Sequence, residues 1–228
     1  MLIDLSHTIE DGMITYKGLP PPVISDFLSR RDSRGHYEDG TEFHIGKIEM
    51  VANTGTYLDS PFHRYENGQD LAQLDLRSLA DLEGVVVRWQ SSSGRAITPQ
   101  LLEQVEVKGR AVLIQTGWDA HWRTERYTDG THPFLTAAAA EYLAEQGATL
   151  VGIDSYNIDD TIDGRRPTHS ILLAHGIPIV EHMCNLKQLP DSAFRFFAVP
   201  VKVKDFGTFP VRAFAIVVDE MPGTAVVN

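Results

Sequence analysis

The feature that most constrains this chain is a set of short apolar runs, each closed by a polar residue. Ala111-Val112-Leu113-Ile114 continues into Gln115 and Thr116 and stops at Gly117. Leu150-Val151-Gly152-Ile153 ends at Asp154, and Ile177-Pro178-Ile179-Val180 ends at Glu181. Continuous apolar runs of this length predict strands buried on both faces. Helical segments lie between them. Thr136 caps a predicted helix from Ala137 to Gln146, stopped by Gly147, and His169 to Ala174 forms a shorter one ended by Gly176. Thr98 followed by Pro99 starts another. Strands alternating with helices predict an α/β fold with a mixed, partly parallel β-sheet and flanking helices.

The first 70 residues have a different texture, rich in Gly, Pro, Asp and His. They hold β-like runs at Met1 to Leu5, Pro22 to Phe27 and Phe43 to Val51. The last of these largely alternates apolar and polar positions, the period of a half-buried strand. Further strands are predicted at Gly84 to Trp89, Phe194 to Lys204 and Ala213 to Asp219, with a turn at Ser91-Ser92-Ser93-Gly94. No repeat or linker divides the chain, so residues 1–228 are expected to form a single domain. At this length, roughly 70% of the extended-chain surface should be buried.

Charge and cysteine content exclude several function classes. Acidic residues number 31 against 20 basic ones, a net charge of −11. Nucleic acid and anionic membrane are therefore poor partners, since both need local positive charge. The single Cys184 permits neither an internal disulfide nor a cysteine-rich zinc site, and its apolar surroundings suit a small buried hydrophobe. The N-terminus lacks a basic segment followed by an apolar one, and no apolar run approaches 18 residues. The expected location is cytoplasmic.

The acidic strand ends are where an open α/β fold places its chemistry. Asp154 and Glu181 close two buried strands, and Val51-Ala52 leads into Asn53-Thr54-Gly55-Thr56-Tyr57-Leu58-Asp59-Ser60-Pro61-Phe62-His63. Three acids with histidines nearby could form an oxygen-and-imidazole metal site. Asp59 and His63 could converge in a turn as ligand and acid/base group. They could equally be a polar turn in which Asp59 bonds its own backbone. His169 and Glu181 are placed to meet at one sheet edge, although a capping or surface role would leave the same pattern. His7, His36, His44 and His121 read as surface or packing residues, and His132 as a loop residue. Trp118, Trp122 and Phe62 are candidate walls for a ring-bearing substrate.

The segment 53–63 resembles the signature H-x-G-T-H-x-D-x-P-x-H of the cyclase family of metal-dependent hydrolases, which includes bacterial kynurenine formamidase. Gly55, Thr56, Asp59, Pro61 and His63 match, whereas Asn53 and Tyr57 replace the first two histidines. The resemblance extends through Ile3-Asp4-Leu5-Ser6, Thr116-Gly117-Trp118, His132-Pro133-Phe134-Leu135-Thr136, Leu150 to Asp154, His169, Glu181 and Phe209-Pro210-Val211-Arg212-Ala213.

The resemblance implies a one-domain α/β fold of swivelling β/β/α type, a homodimer or homotetramer, and hydrolysis of a small amide, lactam or lactone. It assigns metal ligation to Asp59, His169 and Glu181 and acid/base catalysis to His63. An amide and a phenol are poor substitutes for two imidazoles, since a phenol must ionise from about 10 to bind well. One divalent ion, zinc or manganese, is therefore expected rather than two. Asn53 and Tyr57 become candidate catalytic residues that donate hydrogen bonds near the carbonyl oxygen. A lyase or isomerase on the same single-metal site, or an inactive ligand-binding relative, remain the alternatives.

Overall fold

The computed structural model describes residues 1–90 and 94–217. Its main sheet grows outward from four parallel strands: β5 (Leu82–Arg88), β7 (Ala111–Gln115), β9 (Leu150–Ile153) and β10 (Ile179–Glu181). Antiparallel strands extend both edges. β11 (Phe194–Phe197), β13 (Phe214–Val217) and β1 (Leu2–Asp4) follow β5 on one side, and β4 (Tyr57–Asp59) and β12 (Thr208–Pro210) follow β10 on the other. The nine-stranded sheet has the order β1-β13-β11-β5-β7-β9-β10-β4-β12.

The apolar runs are continuous because both sheet faces are covered. In β7, Val112 and Ile114 join one core with Val85, Val87, Val151 and Ile153, while Ala111 and Leu113 join the opposite core with Val86, Val180 and Phe196. The first core is closed by α3 (Ala137–Glu145) and α4 (Pro167–Ala174), through Ala140, Leu143, Leu172 and Leu173. The second face is covered by loops and outer strands, including Leu5, Leu71, Leu79 and Leu186. No described helix is long and apolar enough to cross a membrane.

Several expectations are corrected. The run from Phe43 forms β3 (Ile45–Glu49), paired with β2 (Val23–Leu28), but every residue of β3 is exposed. The alternation in this hairpin therefore does not mark a buried face. The strand predicted to run to Lys204 ends at Phe197, because Pro200 lies just beyond and cannot donate to a ladder. The helix begun at Pro99 is a single turn, α2 (Pro99–Leu102). The turn at 91–93 and the end of the strand predicted to Asp219 lie outside the described residues.

Within the segment read as a turn, either site-forming or merely polar, Tyr57–Asp59 instead form β4, wholly buried between β10 and β12. Asp59 is in register with Ile179 on one side and Thr208 on the other, and Tyr57 is in register with Glu181. This antiparallel pairing places the Asp59 end of β4, residue 179 of β10 and the start of β12 at one level.

Candidate metal centre

Residues from β4, α4 and β10 meet at a single point. His169 Nε2 lies 3.6 Å from Asp59 Oδ2 and 3.7 Å from Glu181 Oε1. Both separations exceed hydrogen-bond range. They are close to the spacing of about 3.4 Å between two donors of a tetrahedral ion bound at about 2.1 Å. Asp59 Oδ2 is buried and has no hydrogen-bond partner among the described residues. A buried carboxylate oxygen without a donor is costly unless positive charge faces it. The donor set of one imidazole nitrogen and two carboxylate oxygens suits a divalent zinc or manganese ion.

The charges indicate the same demand for a cation. Burial alone would suppress protonation of His169, but Glu181, Asp159 and Asp59 outweigh it and raise the imidazole to about 10. Burial likewise opposes ionisation of Asp59, yet neighbouring His63 and His169 hold its carboxyl below the usual range. Burial raises Glu181. Without a metal, the pocket therefore gathers a proton onto His169, and a divalent ion would displace it.

Two of these three side chains, His169 and Glu181, are held by further neighbours. Asp159 binds His169 Nδ1 at 2.6 Å and accepts from the backbone N–H groups of Thr168 at 2.7 Å and His169 at 3.1 Å. One carboxylate thus caps the start of α4 and fixes which nitrogen of His169 faces Asp59. Glu181 Oε1 accepts from Ile158 N–H at 2.6 Å, and Oε2 accepts from the Tyr57 hydroxyl at 2.8 Å. Burial keeps the Tyr57 hydroxyl protonated by pushing it well above its usual range. Its proton is directed at Glu181, which corrects the expectation that Tyr57 donates to a substrate carbonyl oxygen. Asn53 lies beside that hydroxyl.

His63 sits at the end of the short turn Pro61–His63 that follows β4. It keeps 35% of its side-chain surface exposed, against none for Asp59. Thr208 Oγ1 bonds both Asp59 Oδ1 and His63 Nδ1, the latter at 2.8 Å. Ionised Asp59 can only accept, so the Thr208 hydroxyl donates to it and accepts from His63 Nδ1–H. That arrangement leaves His63 Nε2 with a free lone pair. The preceding Gly207 makes the approach possible, because a Cβ there would lie 2.5 Å from the His63 backbone nitrogen. One ligand atom each from Asp59, His63 and His169 also lies within 4.8 Å of the others, so His63 borders the cation position.

A pocket of about 280 Å³ opens over this centre, near the lower end of ligand-site volumes. Asn53, Tyr57, His63, His169 and Glu181 line it, together with Tyr16, Leu19, Arg64, Asn157 and Arg166. Five of the six site residues expected from sequence thus share one wall, and the buried Asp59 lies behind them. Trp118, Trp122 and Phe62 do not line it. Trp118 and Trp122 pack instead with Tyr127 and Tyr156. Asp154 is likewise not part of the centre. Its carboxylate is taken up by the N–H and hydroxyl of Thr116 and the N–H of Gly117, and burial raises it to about 7. Asp159 and Thr208 were not singled out in the sequence. Asp159 sits in an acidic loop that reads as surface charge, and nothing beside Thr208 marks it.

Comparison with known proteins agrees with this architecture. The chain is 29% identical over 212 residues to a kynurenine formamidase of Bacillus thuringiensis subsp. konkukian, spanning 92% of this chain and 95% of the relative. The fold superposes on isatin hydrolase A from Labrenzia aggregata bound to benzyl benzoate with a TM-score of 0.79, at 22% identity, covering 96% of this chain and 94% of the other. It also matches a predicted metal-dependent hydrolase from Bacillus stearothermophilus with a TM-score of 0.75, at 23% identity, covering 94% and 97%. Residues 3–160 match the family model described as "Putative cyclase", and the chain belongs to that Cyclase family.

Proposed function

We propose that this protein is a metal-dependent hydrolase that cleaves the amide bond of a small amide or lactam, or the ester bond of a lactone. The observation that carries the reading is the orphaned Asp59 Oδ2 facing His169 Nε2 and, across it, Glu181. Asp59, His169 and Glu181 would hold one zinc or manganese ion. A bound divalent ion supplies Lewis acidity toward a carbonyl and makes water a stronger acid. His63 Nε2 takes a proton from the attacking water and returns it to the leaving group. Thr208 holds His63 in the tautomer that this step needs. Tyr57 orients Glu181, and Asn53 offers its amide to the carbonyl oxygen at the pocket wall.

The functional relatives support the chemistry. The B. thuringiensis protein is a kynurenine formamidase, and a fold neighbour is an isatin hydrolase. The reading is tested by elemental analysis of the purified chain and by turnover of formanilide, a lactam and a lactone. About one zinc or manganese per chain, with hydrolysis of at least one probe, is the expected result. Absence of bound metal and of turnover after incubation with both ions would overturn it. His63→Asn separates the two roles open to that residue: it should keep the metal and lose turnover, and loss of the metal would make His63 a ligand.

We assign the protein to the cytoplasm and to a homodimer. The single free cysteine suits a reducing compartment. The β2–β3 hairpin leaves Val23, Ile24, Phe27, Ile45 and Ile48 exposed, and a lone two-stranded hairpin is marginal in water. The same hairpin carries Asp26, Lys47 and Glu49, so a two-fold pairing can match opposite charges. Sedimentation of the chain beside a Phe27→Glu, Ile48→Glu variant tests this, with a shift to monomer expected.

A further inference from the structure

In a chain of net charge −11, most described arginines lie within 4.0 Å of a carboxylate. Arg64 and Arg166 have no such partner among the described residues, and both line the pocket above the metal centre. Neutral groups hold them. Arg64 Nε donates to Ser170 Oγ at 3.2 Å, and its guanidinium lies over the Tyr65 ring, 5.2 Å from the centroid. Arg166 donates to the Tyr16 hydroxyl at 3.1 Å and, through its other terminal nitrogen, to Asn157 Oδ1 and the Asp160 carbonyl, both at 3.4 Å. Two guanidiniums are thus positioned without being neutralised.

The charge balance of the pocket gives this placement a direction. A divalent ion would cancel Asp59 and Glu181. The wall would then carry two uncompensated positive charges. Guanidiniums are suited by shape and charge to a carboxylate. Tyr16, stacked on Tyr156 with centroids 4.8 Å apart, and Leu19 supply an apolar edge beside them. We infer that Arg64 and Arg166 form a carboxylate-recognition subsite, so that the substrate is an anionic amide or lactone with an apolar body, its carboxylate at the arginines and its scissile carbonyl at the metal centre. This inference rests on the hydrolase reading for the second half of that statement only.

The test uses the full chain loaded with zinc, and again without added metal. Calorimetry compares benzoate with its neutral isostere benzamide, and kinetics compare 4-formamidobenzoate with formanilide. Benzoate should bind at least about tenfold more tightly than benzamide, and each of Arg64→Gln and Arg166→Gln should erode that preference by about tenfold. Arg166→Lys, which keeps the charge, should restore part of it. Should Arg166→Gln fail to fold, exposed Arg64→Gln and Arg166→Lys carry the test. Equal binding of benzoate and benzamide would overturn the subsite, as would a folded double Gln variant with the full preference. Benzoate preference without hydrolysis of either anilide supports the subsite and counts against the hydrolase reading. Equal turnover of both anilides without benzoate preference does the reverse.

Discussion

Asp59 presents to His169 the one oxygen of its carboxylate that has no hydrogen-bond donor, 3.6 Å from the imidazole Nε2. Its other oxygen is satisfied by Thr208. Asp59→Asn keeps the size of the side chain and removes the charge facing His169. It should abolish stoichiometric zinc or manganese and lower turnover by more than about a hundredfold, while the chain stays folded. Unchanged metal content by elemental analysis would remove Asp59 from the ligand set.

Asp159 stands one step behind the candidate centre. It holds His169 Nδ1 at 2.6 Å and is itself kept below the usual carboxylate range, because His169 outweighs the effect of burial. Asp159→Asn retains an acceptor for the Thr168 N–H and weakens the hold on the imidazole. Metal affinity, read by titration against a chelator, should fall about 10- to 100-fold. Affinity within twofold of the parent would show that His169 needs no such support.

Thr208 connects the two carboxylate-facing histidines' surroundings by accepting from His63 while donating to Asp59. Thr208→Val preserves shape and removes both bonds. The expected result is a fall in kcat of about tenfold or more, a displaced pH–rate profile, unchanged metal content, and recovery in Thr208→Ser. A variant with the parental pH profile would show that His63 sets its own tautomer.

Acid should destabilise the fold through histidines buried neutral. Burial lowers His7 to about 4, only partly opposed by Asp119, and lowers His182 to about 3. Below about 6.5 the unfolded chain takes up protons that the folded chain refuses. The stability due to His7 is thus present above pH 6.5 and lost as pH falls toward 4, by roughly 3 kcal/mol at most. His7→Phe retains a ring to stack on Trp122, where the parent imidazole lies 3.9 Å away, and removes this titration. Urea melts at pH 7 and pH 4.5 should show a smaller acid loss in the variant. Equal losses in both proteins would refute it.

The sequence made the parallel centre legible because β7, β9 and β10 are apolar on both faces and end sharply. It also exposed Glu181 as an acid at a strand end. β4 was hidden because the strand between Gly55 and Pro61 has only three residues, too few to display a period, and because Tyr57 and Asp59 look polar in isolation. Their hydrogen bonds to Glu181 and Thr208 reach far along the chain. The β3 alternation misled for the opposite reason: its apolar side chains have no core beneath them. Asp154 shows that an acid at a strand end can serve the backbone of a neighbouring loop instead of a ligand.

The position of β4 has a consequence for biosynthesis. Asp59 leaves the ribosome early, but its partner Thr208 is 149 residues away in sequence. Until β10 has been made β4 has an unpaired edge on each side, and until β12 follows one edge stays unpaired and Asp59 lacks the Thr208 hydroxyl. Closing such distant contacts is a late and slow event in folding. A nascent or truncated chain that stops short of Thr208 therefore cannot complete the surroundings of Asp59, and the centre is assembled only after β12 has left the exit tunnel.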